Sequence, residues 1–533
     1  MRLSPLVQAI SLSTAALLLT ACGDNNDDTT PVVRDVTPPL LTTSSDFVDS
    51  TTAVAATFVS GEVKDTGGVK SLTYQLNEKP AQTLTLNTDG SFNDAIHLIL
   101  GANKITLAAT DAAGNVTTST KTIYLGDTIA AGGSHTGALK EGQLYGWGRN
   151  NFGQTGLGRV TKLSENSNSI VQVHPDTPVF MSSAPNNLAS LSFNQNHSLA
   201  IAQDGQVYSW GDDKFGQLGR GDLGHDNCSR LCRFDINAIA GINNAVMISA
   251  GYNHNLALTE DGTVWAMGSN SQGQLGNGTI TDSNIPVKVD FSAATDVGHI
   301  VQVAASSGSS YALDDKGQVW GWGSDDYGNL GKGKTCTTAN NCINQNPIPV
   351  RINIIIDNLN DNDEKVTQLA AGRDHILALT NKESVYGWGL NASSQVGYHG
   401  KNFADTDKAW AKEIATPTKL PWFSDKEVHR VYANGNSSYV LLDNGKVYPW
   451  GTFGETNSAG RTIYNDLDEP TDTLPSLTNI DNIAMGALHL IAKDKTNNLY
   501  TWGWSFEGSI GSKLATNIWM YNLPFPISLP TAN

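Results

Sequence analysis

From Thr52 onward the chain alternates apolar and polar positions in short runs, the period-two signature of half-buried strands. Thr52–Val59, Val69–Leu76, Gln82–Leu86, Phe92–Leu98, Lys104–Ala109 and Val116–Tyr124 are such runs. Glycine and asparagine at Thr66-Gly67-Gly68, Asn87-Thr88-Asp89-Gly90 and Gly101-Ala102-Asn103 supply the turns between them. About seven strands in residues 46–126 is the arithmetic of a two-sheet sandwich. Beyond residue 127 the alternation continues in hairpins. In the stretch from Leu256 to Trp265, apolar residues alternate on both arms of an Asp261-Gly262 turn. Runs with helical period are scarce, so the pattern predicts an all-β chain.

The second part repeats itself seven times. Its most visible element is a Tyr-x-Trp-Gly box, with Trp147, Trp210, Met267, Trp322, Trp388, Trp450 and Trp502 in the tryptophan position. The step is about 59 residues, and a glycine follows the box residue in every copy, from Gly148 to Gly503. A further glycine pair lies downstream, as in Gly216-Gln217-Leu218-Gly219. Upstream stands Ala-Gly-x-x-His, clearest at Ala131–His135, Ala250–His254 and Ala371–His375. Each period is a few strands joined by glycine turns, which is one propeller blade. Ring closure, which hides sheet edges, is expected between the strand near Ile129 and the segment Pro526–Leu529.

These residues resemble the repeat of the regulator of chromosome condensation family. The resemblance implies a seven-bladed β-propeller over residues 127–533. Residues 46–126 resemble bacterial immunoglobulin-like modules through Gly61–Asp65, Gly90-Ser91-Phe92 and Asp111–Asn115, which implies an immunoglobulin-like β-sandwich acting as a spacer.

The amino terminus changes the picture. Met1-Arg2 is followed by the apolar run Leu6–Leu19, too short for a stable spanning helix and readable as a signal peptide. Leu19-Thr20-Ala21-Cys22 resembles the lipobox of bacterial lipoproteins, which implies removal of residues 1–21 and lipidation of Cys22. Residues 22–45, rich in Asp, Asn, Thr and Pro, then read as a flexible tether. In a Gram-negative cell, Gly23 after the lipidated cysteine leans towards the outer membrane. Lys+Arg 34 against Asp+Glu 51 gives a net charge of −17, a field that repels phosphate backbones and argues against nucleic acid.

Once Cys22 is assigned to lipid, Cys228, Cys232, Cys336 and Cys342 remain as two close pairs. In an exported chain they suggest disulfides 228–232 and 336–342. A four-thiolate zinc site is the weaker alternative, because the pairs are far apart and lack close CxxC spacing. The repeat histidines His135, His197, His254, His375 and His489, with Ser310 and Ser438 aligned to them in the other copies, are expected to be buried and bonded to backbone. Glu62, Asp65 and Asp111 offer calcium ligands, although carboxylates capping their own turns explain them as well. No catalytic motif, metal site or cofactor is expected.

What distinguishes this chain is its inserts and a late set of aromatics outside the repeat. Trp410, Trp422, Phe423, Trp504, Trp519 and Tyr521 are expected to form an exposed binding patch on one rim. The expected function is that of a monomeric, membrane-anchored binding or scaffold lipoprotein outside the cytoplasm, with a protein or glycan partner. The family resemblance also raises guanine-nucleotide exchange activity. Some bacterial propellers of this class imply a third role, inhibition of an extracytoplasmic enzyme.

Overall fold

The computed structural model describes residues 34–44, 47–159, 174–222, 231–333, 345–354, 364–397, 412–456, 462–467, 470, 477–512 and 520–531. Two sheets form the first domain. One has Ala56–Lys64 between Leu40–Thr43 and Ser91–His97. The other runs in the order Ser50–Thr52, Val116–Leu125, Gly101–Asp111, Val69–Leu76, Gln82–Thr83. Along Gly101–Asp111 the buried positions are Asn103, Ile105, Leu107, Ala109 and Asp111, the strict alternation that gives a sheet one core face. Leu40–Thr43 falls inside the expected tether, yet it pairs antiparallel with Gly61–Lys64. The sandwich therefore begins at Leu40 rather than at residue 46.

Seven four-stranded antiparallel sheets follow among the described residues, each built from four consecutive strands. Their first strands, such as Leu188–Asn194, Ala245–Ala250 and Ile300–Ala305, pack against one another in sequence. Ile480–Met485 packs in turn against Ile129–Ala131, so the strands gather around one axis. The tips between first and second strands are tied sheet to sheet at every junction. Backbone bonds run from Gly133 N to Gln195 O (3.0 Å), Tyr252 N to Ser306 O (3.2 Å), Ser307 N to Arg373 O (3.0 Å), Arg373 N to Gly435 O (2.8 Å) and Ala487 N to Gly132 O (3.1 Å). The Nδ2 groups of Asn194 and Asn434 bond Ala250 O and Met485 O at the other two junctions.

The first and last sheets meet near Ile129 and Ile527. Met520–Ile527 pairs with Leu499–Trp504 in the last sheet, and Ile129–Ala131 pairs with His135–Lys140 in the first. No strand is shared between them. Ile129, Ile527 and Leu529 join one apolar cluster with Trp147 and Ile491, which adds side-chain packing to the Ala487 N–Gly132 O bond at this junction.

The sandwich is not a free spacer. Val54, Ala56 and Phe58 share a core with Val301, Ala304, Leu369 and Tyr311 of the propeller. Ala55 N donates to Val301 O at 2.7 Å, and Thr51 Oγ1 donates to Asp481 Oδ2 at 2.9 Å. Val301 and Asp481 lie near the starts of the first strands Ile300–Ala305 and Ile480–Met485, so the sandwich packs across one end of the axis. Burying a Phe-sized side chain stabilises by about 1.5–3 kcal/mol.

Candidate functional site

The repeat histidines build joints between neighbouring sheets. The Nε2 of His135, His254 and His375 meets the Oγ of Ser198, Ser310 and Ser438 in the next sheet at 2.9, 2.9 and 2.8 Å. His197 meets Asn255 Oδ1 at 2.7 Å. Ser198, Ser310 and Ser438 each donate their one hydroxyl proton to a main-chain oxygen, of Gln154, Gln274 and Gln395. The histidine must therefore carry its proton on Nε2 and donate it. Trp210, Trp322 and Trp450 donate Nε1–H to those same three oxygens at 2.8, 2.9 and 3.0 Å. The turn, Gly-Gln-x-Gly at Gln154 and Gln274 and Ser-Gln-x-Gly at Gln395, thus offers one carbonyl to two donors.

Strand register corrects two expectations. His254 lies opposite Gly268, and the residues opposite Gly323 and Gly451 are Ser309 and Ser437. Ser310 and Ser438 are the acceptors, one place later. The histidines also reach a side chain of the next sheet rather than backbone. Burial holds His197 and His489 at about 4 and His254 and His375 at about 3, and it pushes His135 well below the usual range. All five are neutral at pH 7 and serve the architecture.

The glycine of each box is required by the backbone. Gly211 has φ +105°, and a Cβ there would lie 2.5 Å from Asn196 O. Gly132 is needed for a different reason, because the ring of His135 lies where its Cβ would stand.

Opposite the sandwich, the other end of the axis carries the variable residues between the glycine and the histidine of each repeat. They include Ser134, Tyr252, Arg373, Asp374 and Leu488. Arg373 is half exposed, and its Nε lies 3.1 Å from Asp374 Oδ2. Burial raises the Asp374 carboxyl while Arg373 opposes the shift, and burial raises the Tyr252 phenol. Leu488 is 47% exposed and, with Trp504, Gly133 and Ser134, lines a cavity of about 140 Å³ at the seam of the last and first sheets. The signal for these residues is visible in sequence as the unspecified pair inside Ala-Gly-x-x-His.

The expected aromatic patch is only partly present. Phe423 is a buried core residue at 3% exposure, packed near Trp450. Trp422 is half-buried and donates Nε1–H to Gly397 O at 2.7 Å. Both belong to the core under their loop rather than to an exposed patch. Trp504 is half-buried at the open end. Tyr521 sits opposite Gly503 in register, while Trp410 and Trp519 lie outside the described residues.

Cys232 is fully buried and disulfide-bonded. Cys22, Cys228, Cys336 and Cys342 lie outside the described residues. Asp65 and Asp111 do converge, but with Asp35 rather than Glu62, whose carboxylate pairs with Lys64 at 2.6 Å. Asp111 accepts from Asn115 N and Nδ2 at 2.8 and 2.7 Å, and Asp65 accepts from Gly67 N at 2.7 Å, so both cap their own turns. Among the described residues no helix is long and apolar enough to cross a membrane.

Comparison with known proteins agrees with the repeat. Residues 220–531 match the RCC1-like domain, and residues 141–201 and 189–217 match the regulator of chromosome condensation (RCC1) repeat. The chain belongs to the RCC1-like domain family. The sandwich of this RCC1-like chain, residues 38–126, matches domain B of glucodextranase. The ultraviolet-B receptor UVR8 of Arabidopsis thaliana is 29% identical over 391 residues, covering 72% of this chain and 78% of the receptor. Human protein RCC2 is 31% identical over 270 residues, 48% of each chain, so the RCC1-like chain spans about half the length of that relative. Among solved structures, human WBSCR16 superposes with a TM-score of 0.57 at 22% identity, covering 73% of this chain and 94% of that one. Yeast RCC1 (Prp20), solved bound to Kap60, gives 0.57 at 20% identity over 75% and 85%. These structures share the fold.

Proposed function

We propose that this RCC1-like chain is a lipid-anchored binding protein outside the cytoplasm, whose propeller engages a protein or glycan through its open end. The observation that carries the reading is the division of the axis. The sandwich occupies one end, and the repeated histidines and tryptophans are engaged between sheets. Tyr252, Arg373 and Leu488 are left at the other end, where their identities are free of the repeat. A disulfide at Cys232 favours an oxidising compartment, and Cys228–Cys232 and Cys336–Cys342 are the pairings we assign. Cys22 at the end of the apolar run supplies the anchor. The immunoglobulin-like character of the sandwich and the seven-bladed ring belong to the same reading. An extracytoplasmic enzyme held at the open end would make the chain an inhibitor. Exchange activity on a nucleotide-binding partner would need residence in the cytoplasm.

Two experiments test this. In membrane fractionation, the full chain is expected with the membranes and Cys22→Ser in the soluble fraction; both soluble would overturn the anchor. In intact cells, photocrosslinkers placed at Tyr252 or Leu488 are expected to form adducts, whereas one at Lys70 on the sandwich is not. Adducts from Lys70 alone would move the binding surface to the sandwich.

A further inference from the structure

Where the sandwich meets the propeller, a cavity of about 210 Å³ lies at the seam, separate from the open end. Leu76, Leu98, Val246 and Ile300 give it apolar lining. Its wall is polar and comes from both domains: Tyr74, Lys79, Gln82 and His97 from the sandwich, Glu260 and His299 from the propeller. Domain seams with apolar lining and a few convergent polar groups are where small ligands bind.

The wall is held in place. The rings of His97 and His299 stack at 4.3 Å with 21° between their planes. Asp315 fixes both, its Oδ2 3.2 Å from His97 Nε2 and its Oδ1 accepting from His299 N at 3.0 Å. Tyr74 donates its hydroxyl to Gln82 Oε1 at 2.6 Å, which occupies the amide oxygen and leaves the amide nitrogen as a donor.

The charges decide the ligand class. The lining carries one cationic side chain, Lys79, and one anionic side chain, Glu260, so its fixed charges are balanced. Donors and acceptors line the cavity together with apolar side chains, which suits a ring with hydroxyls on its edge and C–H groups on its face. The volume is below the roughly 300–1,000 Å³ of pockets for drug-sized molecules, which favours one ring over a chain. We infer that the seam between Gln82, Lys79 and His299 binds a single neutral sugar ring. This inference is independent of the open-end reading.

The test is ligand-observed NMR on the full chain with glucose, galactose, mannose and N-acetylglucosamine. Acetate and glycine serve as charged probes. At least one sugar is expected to bind saturably, and Gln82→Ala and Lys79→Ala are expected to weaken it about tenfold each. Both residues are exposed, so an unchanged unfolding midpoint checks that the fold is intact. Absence of saturable sugar binding, binding unaffected by either variant, or preference for acetate or glycine each overturns the inference.

Discussion

His489 Nε2 lies 2.7 Å from Thr136 Oγ1, which joins the last propeller sheet to the first. Thr136 donates its own proton to Ser509 O at 2.8 Å, so His489 is the donor in that contact. The same rule holds around the ring. Wherever a sheet carries histidine, the next sheet offers Ser198, Asn255, Ser310, Ser438 or Thr136 as acceptor. Where Ser309 or Ser437 replaces the histidine, the next sheet carries Ile376 or Leu490 in the acceptor position. Donor and acceptor are present together or absent together, as the cost of an unpaired buried polar group requires.

Thr136→Val keeps the volume and removes the acceptor. It should destabilise by about 1–3 kcal/mol in denaturant unfolding, because the buried Nε2–H of His489 is left with no partner. His489→Ser combined with Thr136→Val reproduces the pattern found at Ser437 and Leu490. The double variant should cost less than the two single variants added. Strict additivity would show that the pair does not communicate.

The neutral histidines set an acid limit. In the unfolded chain they titrate near 6.5, whereas burial keeps them near 4 for His197 and His489 and near 3 for His254 and His375. Below 6.5 the unfolded state binds protons that the folded state refuses. Their contribution to stability is complete above 6.5, declines as pH falls, and is lost once pH passes through the folded values. The slope is up to about 1.4 kcal/mol per pH unit for each histidine. Unfolding midpoints measured from pH 7.5 to 4.5 should show it, and His254→Gln should flatten the curve. An unchanged slope would count against burial as the cause.

How much of this was legible follows from what each residue does. Gly211 and the box tryptophans were readable because a positive φ and a shared carbonyl impose the same residue on sheet after sheet. The serine register was misread by one because both histidine-lacking sheets carry two serines in a row, Ser309-Ser310 and Ser437-Ser438. Only strand pairing with Gly323 and Gly451 separates them. Phe423 reads as a surface aromatic in sequence because nothing local marks a loop residue that folds back under Trp450. Docking of the sandwich was invisible, since Val54, Ala56 and Phe58 look like residues of their own domain's core.

Gly211→Ala tests the backbone requirement. The substitution places a Cβ 2.5 Å from Asn196 O and forces alanine to φ +105°. A cost of at least about 1–3 kcal/mol is expected from the strained backbone alone, with a lower unfolding midpoint. By contrast, Gly241→Ala, where φ is +88° and nothing lies near the added Cβ, should cost less. Equal losses would show that crowding contributes nothing.

The last prediction concerns the seal between the domains. Phe58 belongs to the sandwich strand Ala56–Lys64 but is buried to 8% against propeller residues, and Ala55 bonds Val301 by its backbone. A shared core couples the two units, so the intact chain should unfold in one calorimetric transition. Phe58→Asp places a carboxylate in the apolar core shared with Val301 and Leu369, which is among the most costly changes a core can take. The sandwich should then part from the propeller, and calorimetry should resolve two transitions while far-ultraviolet circular dichroism stays that of a β protein. Phe58→Leu, which keeps the site apolar, should retain the single transition with a lower midpoint. Two transitions in the unmodified chain would mean that the shared core does not couple the unfolding of the two domains.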